Sequence, residues 1–159
     1  MKILLDALKL AGEDFKESFS VADLFSEDHK LVYVNKNFIE TTGYSRDEVI
    51  GNNCRFLQGE LTDRDMVAKI RETVIEKTSC YFDIVNYTKS GKAFWNRLLL
   101  IPFGINDENI RYIVGIQMDI TEKHNGDFEK KVPYACFSPS ENHIKDKLED
   151  IVNYYRSSK

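Results

Sequence analysis

Apolar and polar positions change period several times along this chain, and each change marks an element. Residues 2–11 carry Leu4, Leu8 and Ala11 at helical spacing, which predicts a short helix that Gly12 stops. So short a helix is marginal alone and needs a surface to lie on. Residues 19–24 alternate apolar and polar and read as a strand; 26–30 form a polar turn, and 31–35 a second strand. Residues 38–42 and 47–50 look like helical turns punctuated by Gly43 and Gly51. Thr62 with Asp65 resembles a capping box that opens the best helix of the chain, over 63–77, with Met66, Val67, Ile70 and Val74 on one face. Three strand-like segments follow at 80–89, 93–103 and 110–121, with turns at Ser90-Gly91 and Asn106-Asp107. The order predicts an α+β domain, an antiparallel sheet with short helices on one face. After Thr121 the pattern fades: Glu122-Lys123-His124 reads as solvated linker, Gly126, Pro133 and Pro139 interrupt, and Ser140 caps a last helix with Ile144, Leu148, Ile151 and Tyr155 in register.

Composition narrows the class. A chain of 159 residues, 42% apolar and 30% charged, fits one core with a flanking helix at each end. A net charge of −4 excludes a generic electrostatic grip on nucleic acid or on an anionic membrane. The longest apolar stretch, 98–103, is too short to span a bilayer, and Asp6 interrupts the N-terminal apolar segment, so no secretory signal is expected. The three cysteines are an odd count without a CxxC pair. Neither a disulfide framework nor structural zinc is expected, and the reading is a reducing cytoplasm.

Two features carry chemistry. The first is the block GNNCRFLQG, residues 51–59. Cys54 is its candidate reactive thiol, although a lone cysteine near a core is more often inert. Arg55 suits an anion such as phosphate, or a surface ion pair. Gln58 both donates and accepts, and Asn53 suits a helix cap. The second is a set of amides on apolar strand faces. Asn86 shares a face with Phe82 and Ile84, Asn96 with Phe94, Leu98 and Leu100, and Gln117 with Ile113 and Gly115. A buried amide left unpaired costs about 1–3 kcal/mol, so a flat, largely apolar partner with a polar edge is expected there.

Strand parity tests that idea. Asn86 and Asn96 share a face only if the connection near Ser90-Gly91 has an odd number of residues, for which a three-residue turn fits. Asn96 and Gln117 need an even connection, which 105–108 supplies. Gly115 lets a ring approach the backbone. On the opposite face Tyr112, Val114, Ile116 and Met118 also need cover, from a terminal helix or a second subunit.

GNNCRFLQG, followed by KIR, NYTKSGKAFWN and GIQMD, resembles the LOV (light-oxygen-voltage) subfamily of PAS domains, the flavin-binding blue-light receptors. The resemblance runs from about Phe19 to Thr121. It implies a PAS/LOV fold with a five-stranded antiparallel sheet and short helices enclosing a flavin. It divides the chain into an N-terminal flanking helix (1–18), a LOV core (19–121), and a linker with a C-terminal helix (122–159). It implies that Cys54 bonds to the flavin under blue light, that Arg55 and Arg71 bind its phosphate, and that Gln58, Asn86 and Asn96 meet the polar edge of the ring. Gln117 then sits by the ring nitrogen and relays the signal. Asn53, Cys54, Arg55, Leu57, Gln58, Arg71, Asn86, Asn96 and Gln117 form the implied cofactor set, with no metal.

Family members that hold FAD tend to have a longer segment between the positions of Gln58 and Arg71, so the resemblance implies FMN. Asn52 and Ser20-Val21-Ala22 depart from the usual family residues; the latter three would lie near the flavin, which bears on how long the light state lasts. Asp119-Ile120-Thr121 resembles the motif that ends many PAS cores and passes the signal onward. The chain reads as a sensor and not as an enzyme. Its expected partners are the flavin, a second copy through the outer sheet face or the terminal helices, and a downstream protein. The competing readings are a flavin-dependent redox protein and a PAS interaction module without photochemistry. Against the redox reading, no GxGxxG occurs and His29, His124 and His143 fall in turn or tail segments.

Overall fold

Period-two alternation builds the sheet, and the helices close over its two faces. The computed structural model describes residues 2–106 and 108–136, with Asp146, Asp150, Asn153 and Ser157 helical beyond them. The expected helix face of Ile144, Leu148, Ile151 and Tyr155 lies outside the described residues. In chain order the elements are α1 (Lys2–Asp14), β1 (Ser18–Asp23), β2 (Leu31–Val34), α2 (Lys36–Thr42), α3 (Arg46–Val49), a 310 turn (Cys54–Leu57), α4 (Arg64–Glu76), β3 (Cys80–Tyr87), β4 (Ala93–Gly104), β5 (Ile110–Asp119), a second 310 turn (Thr121–His124) and β6 (Ala135–Cys136). The strands lie in the order β2-β1-β5-β4-β3-β6. All five pairings are antiparallel. Five strands match the expected fold; the sixth, β6, is two residues long and comes from the segment read as pattern-free linker.

Register puts the amides where parity required. Asn86 pairs with Phe94 and Asn96 with Ile84, across a connection of residues 88–92, longer than the three-residue turn expected but still odd. Gln117 pairs with Leu98 and Gly115 with Leu100. The β4–β5 connection does not follow the simple even count: Gly104 pairs with Ile110, leaving residues 105–109 between them. A register shift between Phe103 and Gly104 restores the parity, so Asn96 and Gln117 share a face through a bulge.

The other face is closed by the N-terminal helix. Leu4, Ala7, Leu8 and Ala11 of α1 share one buried cluster with Leu99, Ile101, Val114 and Ile116. Gly12 does not stop this helix, which continues to Asp14. A Cβ at Gly12 would come within 2.6 Å of both the Phe19 and Tyr33 rings, so the glycine is there for close packing.

Three further expectations are corrected. Thr62 is not the cap of α4: its hydroxyl donates to Val85 O (2.7 Å), and Asp63 accepts from the Asp65 and Met66 amides instead. A capping acid one residue on satisfies the first-turn donors equally well. His124 is not in a solvated linker. Its ring packs at a tilt of 40° against Trp95 with centroids 4.5 Å apart, and its Nε2 lies 3.0 Å from Asp83 Oδ2. Cys80 is disulfide-bonded, against the expectation from the odd cysteine count, which says nothing about a single bridge.

Asp83 is the hub of the outer face near this turn. Arg97 forks onto it through Nε (2.8 Å) and Nη2 (2.9 Å). Burial pushes its carboxyl up, but the Arg97 guanidinium and the His124 ring outweigh that and hold it below the usual carboxylate range. Replacing Asp83 with Ala leaves Arg97 without its partner and is expected to cost about 2–4 kcal/mol in urea denaturation. In the unsubstituted protein this contribution is present above about pH 4, where a free aspartate is ionised. It is lost as the pH falls through the lower folded value, so Asp83→Ala protein shows a flatter acid limb.

Candidate functional site

The inner face of the sheet, α4 and the first 310 turn enclose a cleft. Two backbone bonds bring the turn to the sheet: Leu31 N donates to Asn52 O and Gly51 N to Leu31 O, both at 2.9 Å. Asn53 then caps the turn. Its Oδ1 accepts from the Arg55 amide (2.9 Å), and its Nδ2 donates to Asp28 O (2.8 Å). Leu57 anchors the turn from behind, in a buried cluster with Leu31, Val34, Phe38 and Val49, and does not line the cleft. On the far side, the Tyr87 ring lies where a Cβ on Gly59 would stand, within 2.4 Å, and its hydroxyl accepts from Leu61 N (2.9 Å). That contact holds the start of α4 against the edge of the sheet.

The inner cavity is about 140 Å³. Its floor is Leu98 and Leu100 of β4 with Ile113, Gly115 and Gln117 of β5; Ile70 and Val74 of α4 and Cys54 face them. Its polar rim opens into an outer cleft of about 580 Å³ lined by Arg55, Gln58, Arg64, Arg71, Asp28 and His29. His29, Asn53, Ile70 and Val74 line both spaces, so the two are one path from solvent to the sheet.

Cys54 carries a free thiol and is half-buried. Burial pushes it up to about 12, so the group is a neutral thiol across the physiological range. Across the cavity, Gln117 is held at both ends of its amide. Ser18 Oγ donates to Oε1 (2.9 Å), and Nε2 donates to Ser20 Oγ (3.0 Å). Ser20 in turn donates to Gly115 O (3.3 Å). A Cβ on Gly115 would stand 2.7 Å from Ser20 Oγ and 3.0 Å from Gln117 Nε2.

Asn86 and Asn96 lie on the same face, beyond Leu98 and outside the cavity lining. Asn96 Nδ2 donates to Asn86 Oδ1 (2.9 Å), and Asn86 Nδ2 to Val85 O (3.2 Å). Asn96 Oδ1 is buried without a hydrogen-bond partner. Gln58 lines the outer cleft, and its Oε1 accepts from Arg64 Nη1 (3.2 Å). Arg55 makes the ion pair that its bland reading foresaw, forking onto Asp28 with both contacts at 2.5 Å. Arg71 lines the same cleft.

Sequence reasoning missed Ser18, Arg64, Asp28 and His29. Ser18 and Ser20 were legible as a second polar pair at strand spacing. His29 was dismissed because it sits in a turn, yet that turn, with positive φ at Asp28 (64°) and His29 (48°), carries it to the cleft.

The PAS domain family matches residues 20–122. The blue-light-activated histidine kinase 2 of Erythrobacter litoralis is 37% identical over 139 residues, 87% of this chain and 40% of that protein. The blue-light photoreceptor of Listeria innocua is 38% identical over 127 residues, 80% of this chain and 48% of its own. The chain thus spans under half the length of these relatives. The solved LOV domain of the Erythrobacter litoralis EL346 blue-light-activated histidine kinase superposes with a TM-score of 0.65 at 43% identity, covering 67% of this chain and 97% of that one. With the fold, the NCRFLQ turn and the amide face in place, these likenesses make the chain a member of the PAS domain family, of its LOV kind.

Proposed function

We propose that this chain holds FMN in the cleft and senses blue light through Cys54, with residues 19–121 as the sensing unit and the terminal segments as flanks. The observation that carries the reading is a neutral, free thiol facing Gln117 across a narrow cavity whose floor is flattened by Gly115. When bound, the flavin supplies the absorption of blue light and a ring carbon to which the Cys54 sulfur bonds. Everything else is the work of the chain.

Its residues fit such a ring. Ile70, Val74, Leu98 and Leu100 offer apolar walls, and Gly115 leaves room for a flat group against the backbone. The orphaned Asn96 Oδ1 is an acceptor awaiting a donor, and a flavin edge carries one N–H between two carbonyls. In the outer cleft Arg55, Arg64 and Arg71 suit a single phosphate. Phosphate binding there competes with Asp28 for Arg55. The exposure of that pair, 57% and 47% for the two side chains, makes the exchange inexpensive.

The chain also supplies the proton and the relay. Because Cys54 stays protonated, it would bring a hydrogen with its sulfur, and Gln117 would face a donor where it had faced an acceptor. Gln117 then has to present Oε1 where Nε2 stood. Its serine neighbours allow this, since a hydroxyl donates or accepts equally well. Ser18 changes from donor to acceptor, and Ser20 gives up Gly115 O to donate to Oε1. One buried hydrogen bond is lost, about 1 kcal/mol, so the two orientations stay close in energy. Ser18 and Ser20 belong to the strand that also contributes Phe19 and Val21 to the cluster under α1, so rotation of the amide bears on the packing of the N-terminal helix.

Purified protein is expected to be yellow, to bleach in blue light and to recover in the dark. Cys54→Ala protein should stay yellow and fail to bleach; identical behaviour of the two proteins sinks the photochemical reading. A yellow protein that never bleaches points to redox chemistry, and one that takes up no flavin to an interaction module. Bleaching yield should be flat between about pH 6 and pH 9, where an exposed cysteine ionises. A midpoint near the usual thiol value would contradict the neutral-thiol mechanism. Gln117→Leu should bleach normally while losing most of the light-induced change in α1, read by amide hydrogen exchange; an unaltered change rules out the relay.

A further inference from the structure

Nothing in the flavin cleft uses Cys80. It lies wholly buried at the first position of β3 and is disulfide-bonded. The chain has three cysteines, and Cys54 is free. The register of β6 sets Cys136 opposite Cys80. Directly opposed residues of an antiparallel pair stand about 4.5–5.5 Å apart at Cα, inside the span a disulfide bridges. We propose that Cys80 and Cys136 form a redox-controlled clasp that holds the chain after the second 310 turn as a strap along the edge of β3, and that reduction by a dithiol releases the strap.

The other attachments of this segment explain why the covalent bond decides. At its near end the strap is firmly fixed: Trp95 Nε1 donates to Asp127 O (2.7 Å), and His124 is locked between Trp95 and Asp83. Beyond Asp127 the grip weakens. Phe128 and Val132 pack against the Val85–Trp95–Ile120 cluster, but only partly buried. Tyr134 stacks on Phe82 with centroids 5.6 Å apart while remaining 41% exposed. Lys131 pairs with Asp63 at 2.9 Å from a side chain that is 78% exposed, and such pairs hold little. The strand itself is two residues at a sheet edge, the kind of element that opens locally. Opening also gives a reductant its access, since Cys80 is sealed in the closed state.

The chemistry balances with one dithiol. One of its thiolates attacks a sulfur of the clasp, giving a mixed disulfide and one cysteine thiolate. Its second thiol expels the other cysteine, and the reductant leaves as a cyclic disulfide. The dithiol has given two electrons, and two protons end on Cys80 and Cys136. Release uncovers the β3 edge at Cys80 and Tyr81 and the ring of Phe82. The strap follows β5, the strand of Gln117, through the turn at Thr121–His124. A closed clasp therefore pins the far end of the segment that a light-driven shift of β5 would move. This last link, and only this one, rests on the photoreceptor reading.

The test uses the whole chain in the dark. After non-reducing purification and denaturation, maleimide should label one cysteine by mass, and three after dithiothreitol. Hydrogen exchange in residues 128–136 and at the start of β3 should rise about 10-fold on reduction. Cys136→Ser should show the fast exchange without reductant, with the flavin spectrum reporting that it is folded. Three labelled cysteines before reduction, or exchange that ignores both reduction and Cys136→Ser, overturns the clasp. Under blue light, reduced protein should show a larger added exchange in the strap than oxidised protein at equal bleaching. Equal added exchange in the two states overturns the gating. Absence of bleaching overturns the photoreceptor reading and leaves the dark results on the clasp standing.

Discussion

The pairing of β4 with β5 is the constraint on which the site depends. Opposing Leu98 to Gln117 and Leu100 to Gly115 places a buried amide, a gap in the floor and two apolar walls on one surface. The same register sends Leu99, Ile101, Val114 and Ile116 to the other surface, where α1 covers them. A slip of β5 by one residue would exchange its two faces, turning the amide of Gln117 toward α1 and Val114 and Ile116 into the cleft. The bulge at Phe103 and Gly104 is therefore part of the site, although it lies well away from Cys54.

Around that register the chain keeps polar groups in apolar surroundings only where each has a partner or awaits one. Gln117 has two serines, Asn86 has the backbone and Asn96, and Asn96 retains one oxygen in reserve. Cys54 meets the same burial differently, by remaining protonated. The charged groups are kept to the outer cleft, where solvent screens them and where they exchange partners readily. The cleft thus runs from a charged, open mouth to a neutral, closed interior, a gradient suited to a ligand with a phosphate at one end and a flat ring at the other.

Much of this was legible from the sequence because it rests on local periods. Strand alternation showed Asn86, Asn96 and Gln117 on one face, and the apolar set of Val114, Ile116 and Met118 on the other. The NCRFLQ block marked the turn that presents Cys54. The failures have a common cause in contacts between distant segments. Gly12 looked like a helix stop because a Cβ clash with Phe19 and Tyr33 is invisible in a one-dimensional pattern. His124 looked solvated because its partners, Asp83 and Trp95, lie on other strands.

Taken alone, the order of residues determined the strand faces and the long helix, expected over 63–77 and found over 64–76, since each follows from backbone geometry repeated every two or 3.6 residues. Only the tertiary structure decided which terminal segment covers the outer face, how Gln117 is held by Ser18 and Ser20, and that the segment beyond β5 returns to pair with β3 beside Cys80. Those outcomes depend on register and on chain reversals between residues up to 99 positions apart, and no local pattern records the distance between two such segments once folded.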